Sequence, residues 1–238
     1  MTVGSLFTGC GGCDLGFQWA GYEIIWQVEI NGYCQRILPE RFPNAERFSD
    51  VRECGKHNLR PVDVIVGGFP CQGISNAGAQ EGLADERSGL WSEMLRIVCE
   101  LRPRIVVIEN VAALLNRGIG TVFADLAGAG MDAEWAVLRA EDFGAPHERK
   151  RFFAIAYPNG QYGQERMGIK PEWQGALFAE DHRQRLPIWL QAPDCAAGMG
   201  DGIPAGLDYR ERAEAVGNAV VPQIAEWIAG RISQAVSL

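Results

Sequence analysis

Short apolar runs alternate with amphipathic patterns along most of this chain, and that alternation limits the possible folds more than any other feature. Strand-like runs fall at Val3–Phe7, Glu23–Val28, Val62–Phe69, Ile105–Ile108, Glu134–Leu138 and Phe152–Tyr157. Helical patterns fall between or after them, at Asp14–Ala20, Gly32–Arg41, Ser88–Leu101, Ile119–Gly130 and Pro222–Ala235. Strands separated by helices pair in parallel, because each crossover needs a helix to return the chain to the same edge. The expected fold class is therefore α/β, a mostly parallel sheet with helices on both faces. The rhythm stops between Asn159 and Asp208, a stretch rich in Gly, Gln, Pro and Trp with poor periodicity. The expected organisation is a domain over 1–158, a small irregular inserted module over 159–208, and a segment over 209–238 that completes the first domain.

Several function classes are excluded or disfavoured early. No apolar run approaches the roughly 18–20 residues of a membrane span. The first strand candidate begins at Val3, so no signal or transit peptide is expected. Seven scattered cysteines fit reduced thiols in a cytoplasmic setting. Cys10 and Cys13 have C-x-x-C spacing but lack a second pair, and His57, His147 and His182 form no ligand spacing, so no metal is expected. Cys34, Cys54, Cys99 and Cys195 are most simply packing or surface thiols. The net charge of −8 argues against a nucleic-acid partner when taken alone.

The stretch "SLFTGCGGCDLGFQWAG" follows the first strand and opens the first helix. Glycines 9, 11, 12 and 16 let the backbone turn and approach a ligand, and the helix offers free N–H groups. The second strand ends at Glu29, placed to take both hydroxyls of a ribose. Asp50, in "FSDV", can accept from an adenine amino group. No lysine follows the glycines, so the loop does not cradle a triphosphate. The set suggests an adenosine moiety with little phosphate. Cys71, at the mouth of a Gly/Ser/Ala-rich loop, is placed to meet a ligand rather than to pack.

"FTGCGG" at 7–12, "PCQ" at 70–72, "ENV" at 109–111, "FGAPHERKRFFAIA" at 143–156 and "AVGNAVVPQIA" at 215–225 occur in one order. That ordered set resembles the DNA (cytosine-5)-methyltransferases over about 1–158 and 209–230. The resemblance implies a Rossmann-like S-adenosylmethionine-dependent methyltransferase sheet. It implies methyl transfer to carbon 5 of cytosine in duplex DNA, through a covalent cysteine adduct with a flipped-out base. It also places the chain among enzymes of restriction-modification type. Carbon 5 is a poor nucleophile until a thiolate adds at carbon 6, and the resemblance assigns that thiol to Cys71. Glu109 is implied to share or donate a proton at ring nitrogen 3. Arg149 and Arg151 match the family's two arginines, Arg151 as base contact and Arg149 as positioning residue; His147 stands where the family usually has Gln.

The cofactor set implied for S-adenosylmethionine is Phe7, Thr8, Gly9, Gly11, Gly12, Glu29, Ile30, Asp50, Val51, Pro70, Leu90, Asn218 and Ala219. Phe7 faces the adenine and Leu90 packs on the donor in that reading. The loop after Cys71 supplies Gln72, Ser75 and Arg87 for phosphate or the orphaned partner base, since a duplex base must be extruded before it can react. The insertion carries four Lys/Arg against seven Asp/Glu, few positive charges for a DNA-reading module. Three readings stand: direct reading of a few base pairs by Arg166, Lys170, Arg183 or Arg185; completion by a partner or second copy; or a tRNA substrate. A catalytically silent nucleic-acid-binding relative is the alternative from another class. Intact Cys71, Glu109, Arg149 and Arg151 count against it.

Overall fold

The computed structural model describes residues 1–70, 89–145, 147–160 and 219–236. Their centre is a seven-stranded sheet of β1 (Thr2–Leu6), β2 (Glu23–Val28), β3 (Glu46–Phe48), β4 (Val64–Gly67), β5 (Ile105–Val111), β6 (Met131–Arg139) and β7 (Lys150–Pro158). The strand order is β3-β2-β1-β4-β5-β7-β6. The first five strands are mutually parallel, and β7 runs antiparallel between β5 and β6. The helices are α1 (Gly12–Trp19), α2 (Gly32–Arg41), α3 (Gly89–Leu101), α4 (Leu114–Arg117), α5 (Ile119–Gly128) and α6 (Pro222–Val236).

The central strands are apolar at nearly every position because both faces of the sheet are covered. Val64, Val66, Ile105, Val107, Phe153 and Ile155 point into one apolar layer, with Phe17 of α1 and Ile224, Trp227 and Ile228 of α6. Their neighbours Ile65, Val106, Ile108, Phe152 and Ala154 point into the other. There Met94 and Ile97 of α3, with Val122 and Leu126 of α5, pack against them. This is the two-residue period of a strand read out on two cores.

The expected fold is present, with differences at the margins. β3 was not expected, since its three residues, Glu46, Arg47 and Phe48, carry no apolar pattern; its register with β2 makes it a strand. β4 is shorter than the apolar run Val62–Phe69 because the chain leaves its neighbours at Gly67. β6 is longer than Glu134–Leu138 because its exposed positions break the sequence pattern while its pairing with β7 continues from Met131 to Arg139. The short helix α4 was also not expected.

Candidate active site

The C-terminal ends of β1, β2, β4 and β5 open onto one cavity of about 810 Å³. Open α/β sheets bind ligands at this edge, where the loops diverge. One half of the wall comes from the Gly-rich turn. Phe7 adopts a left-handed backbone, φ 55, an unfavourable conformation for a side chain of its size, and lines the cavity. Thr8 N–H donates to the Val28 carbonyl, so the turn is fastened to the end of β2. Gly9 N–H donates to Glu29 Oε2 at 2.6 Å, and Asn31 N–H donates to Glu29 Oε1 at 2.7 Å. Glu29 is thereby fixed facing the turn, and each carboxylate oxygen keeps further acceptor capacity. Asp50 caps the short 3-10 turn Val51–Glu53 and pairs with the Arg52 guanidinium, which holds its carboxyl below the usual carboxylate range.

The glycines divide by position. Gly9 and Gly12 line the cavity; Gly11 does not, and instead caps α1 with φ 79. A Cβ on Gly12 would stand 2.3 Å from the Val220 carbonyl oxygen, and one on Gly16 would stand 2.2 Å from that of Pro222. These two glycines let the returning C-terminal segment lie against α1, which brings Ala219 and Val220 into the cavity wall. Ile30, Val51, Pro70 and Leu90 complete its apolar lining.

The other half of the wall holds Glu109, near the end of β5, and Arg151, near the start of β7. Because β7 is antiparallel, Arg151 lies opposite Val111, and its Nε comes to 2.9 Å from Glu109 Oε1. Both side chains are largely withdrawn from solvent, and both residues line the cavity. Burial raises the Glu109 carboxyl to about 7, against the opposing pull of Arg151 and Arg149. A neutral carboxylic acid is therefore available near neutral pH. Gly68 leaves room for it, since a Cβ there would be 2.8 Å from Glu109 Oε2. Arg149 has φ 27 and donates through Nη2 to the Ala219 carbonyl. Burial, then the charge of Arg151, lowers its guanidinium to about 10. Arg149 thus ties the loop before β7 to the C-terminal wall.

Sequence reasoning quoted Asn110 but gave it no role. Its Nδ2 donates to the Phe69 carbonyl at 3.0 Å and its Oδ1 accepts from Val111 N–H. It fastens the end of β5 to the chain leaving β4, just before Pro70. A buried side-chain amide beside a strand-end carboxylate was the available signal. His147 is exposed. Cys71, Gln72, Ser75, Arg87 and Asn218 lie outside the described residues, as do Arg166, Lys170, Arg183 and Arg185. Among the described residues there is no group of His, Cys, Asp or Glu able to hold a metal ion, and no helix long and apolar enough to cross a membrane.

A profile of C-5 cytosine-specific DNA methylases matches residues 1–183. The chain belongs to that family. The Type II methyltransferase M.Bsp6I of Bacillus sp. is 34% identical over 166 residues, covering 67% of this chain and 53% of its own length. The chain spans about half the length of the curated relatives it matches. Among solved structures, a prophage-encoded E. coli protein assigned to the DNA modification methyltransferases superposes with TM-score 0.59. It is 30% identical, and the match covers 72% of this chain and 49% of that one. The Entamoeba histolytica methyltransferase EhMeth superposes with TM-score 0.70 over 99% of this chain and 98% of its own, at 13% identity, a likeness of fold. The sheet is that of the methyltransferase fold.

Proposed function

We propose that this chain transfers a methyl group from S-adenosylmethionine to carbon 5 of cytosine in duplex DNA. The observation that carries the reading is the Glu109–Arg151 pair on the rim of the same cavity that holds the Gly-rich turn and Glu29. A family acid and a donor-binding wall sharing one cavity is the arrangement that direct transfer requires.

The residues present fit the cofactor. Glu29 receives the ribose hydroxyls, and Asp50 accepts from the adenine amino group. Phe7, Ile30, Val51 and Leu90 give the adenine apolar faces, and Thr8, Gly9, Gly12, Pro70 and Ala219 close the remaining wall; Asn218 is assigned to the cofactor by its match to the family motif alone. Bound there, S-adenosylmethionine supplies an electrophilic methyl on a sulfonium. Arg151 contacts the base, and Arg149, through Ala219, keeps the loop before β7 in register with the cofactor wall. Cys71 thiolate adds to carbon 6 of the extruded cytosine. Glu109, protonated because it is buried, gives its proton toward nitrogen 3 as negative charge develops there, which makes carbon 5 nucleophilic. After methylation a water takes the carbon-5 proton, the carbon 6–sulfur bond breaks and returns the Cys71 thiolate, and Glu109 takes its proton back from nitrogen 3. Gln72, Ser75 and Arg87 contact phosphate or the orphaned base. The setting is cytoplasmic, in a bacterial or phage-infected cell.

The test is incubation with S-adenosylmethionine and unmethylated genomic DNA, followed by bisulfite sequencing, with tRNA in parallel. Methylation confined to a short DNA motif is the expected result. Methylated tRNA with unmodified DNA would overturn the substrate, and neither product from a protein that binds the cofactor would overturn the activity.

A further inference from the structure

The C-x-x-C spacing of Cys10 and Cys13 does not describe the pairing in space. Cys10 Sγ lies 3.4 Å from Cys34 Sγ. Both are reduced thiols, 4% and 7% exposed, and with Tyr33 and Ile37 they form a small apolar cluster separate from the two main cores. Both also line the cavity. Cys10 belongs to the Gly-rich turn and Cys34 to the first turn of α2, so one thiol stands on each of two facing walls.

We propose that Cys10 and Cys34 form a modification site in which a small hydroperoxide, entering through the open cavity, converts the pair to a disulfide that ties the Gly-rich turn to α2 and shuts out the cofactor. The consequence for binding rests on the cavity being the S-adenosylmethionine site. One sulfur attacks the peroxide, the O–O bond breaks, that cysteine becomes a sulfenic acid and the alcohol leaves. The second sulfur then attacks the sulfenic sulfur, and hydroxide leaves as water with the second thiol's proton. The two sulfurs lose two electrons and the peroxide gains two. Either sulfur can make the first attack, since both line the cavity.

Closing 3.4 Å to a disulfide length of about 2.05 Å is taken up by rotation of the two side chains together with the more compliant of the two walls. The α2 wall is held by Asn31, whose Oδ1 accepts from the N–H groups of Tyr33 and Cys34, and by Gln35 Nε2, which donates to the Glu29 carbonyl. The turn is the compliant side, because Cys10 lies between two glycines already in left-handed conformations, φ 59 and φ 79. Gly9, the neighbour of Cys10, donates to Glu29 Oε2. Drawing Cys10 toward α2 therefore displaces the contact that aims Glu29 into the cavity. A cofactor already seated there blocks the entry path, so oxidation and cofactor binding oppose each other.

The test treats the cofactor-free protein with tert-butyl hydroperoxide, maps crosslinked peptides by mass spectrometry, and measures S-adenosylmethionine binding by calorimetry before treatment, after it, and after dithiothreitol. The expected results are a Cys10–Cys34 peptide pair, at least about tenfold weaker binding, recovery on reduction, and slower crosslinking when the cofactor is bound first. Cys10→Ser and Cys34→Ser should each remove the crosslink, so one well-folded variant suffices. Pairing with other cysteines, over-oxidation without a crosslink, or a crosslink with unchanged affinity would overturn the proposal. If the reduced protein does not bind S-adenosylmethionine, the cofactor reading fails, while mass spectrometry still decides the disulfide.

Discussion

Glu109→Gln tests the neutral buried acid directly. The Glu109 carboxyl has an ordinary value of 4.5 and stands at about 7 in the folded chain. A value raised by folding means that the folded state holds the proton more tightly than the unfolded one. The resulting stability is complete at low pH and is lost as pH rises through the interval from 4.5 to about 7. That gap corresponds to about 3 kcal/mol, of which about 2.5 kcal/mol is lost between about pH 5 and pH 8. Glutamine cannot ionise and escapes this loss. At about pH 5 the wild-type carboxyl is itself neutral, so glutamine removes no counter-charge there, and the attraction of Arg151 for the ionised form is already contained in the value of about 7. The buried carboxyls of Asp14, raised to about 6, and Glu134, raised to about 7, titrate in both proteins and cancel from the difference. Urea unfolding of wild type and variant at several pH values should show the variant gaining about 2.5 kcal/mol on wild type from about pH 5 to pH 8. Stability curves that stay parallel would refute the claim that burial keeps this acid neutral.

Other outcomes follow from the proposed function and from the packing of the described residues. Cys71→Ser should abolish methyl transfer and covalent trapping on duplex containing 5-fluorocytosine, with S-adenosylmethionine binding largely intact by calorimetry; near-normal methylation would remove Cys71 as nucleophile. Glu29→Ala should weaken S-adenosylmethionine binding by about 1–3 kcal/mol, and unchanged affinity would remove Glu29 from the site. Gly12→Ala places a Cβ against the Val220 carbonyl and should destabilise the chain by about 1–3 kcal/mol in urea unfolding. An unchanged midpoint would show that the C-terminal segment does not seat there.

The parallel sheet was legible because its strands are buried on both faces and stand out as apolar runs. Glu109 was legible as a charge closing such a run, "RIVVIE". What the sequence hid was relational. Nothing in "HERKRFF" says that its strand enters antiparallel beside β5, the arrangement that brings Arg151 to Glu109. Gly12 looked like a ligand-facing glycine, yet its missing side chain also makes room for a backbone more than two hundred residues away. Cys10 looked paired with Cys13 by spacing, but helix α1 begins at Gly12 and carries Cys13 into the main core, leaving Cys10 to Cys34. β3 was hidden because its strand character depends on its neighbour.

The direction of β7 fixes how the rest of the chain is anchored. β7 starts at the cavity edge with Arg151 and ends at the far edge with Pro158, where Asn159 N–H donates to the Gly130 carbonyl. At about 3.3 Å per residue the span from Arg151 to Pro158 is a run of roughly 23 Å away from the site. Ala219 stands back on the cavity wall and is held by Arg149. The two described anchors, the end of β7 and Ala219, are thus held by the sheet and by Arg149. Glu109, Arg151 and the wall around Glu29 therefore take their places from contacts among the sheet, the Gly-rich turn and Ala219 alone, a frame that substitutions elsewhere in the chain leave standing.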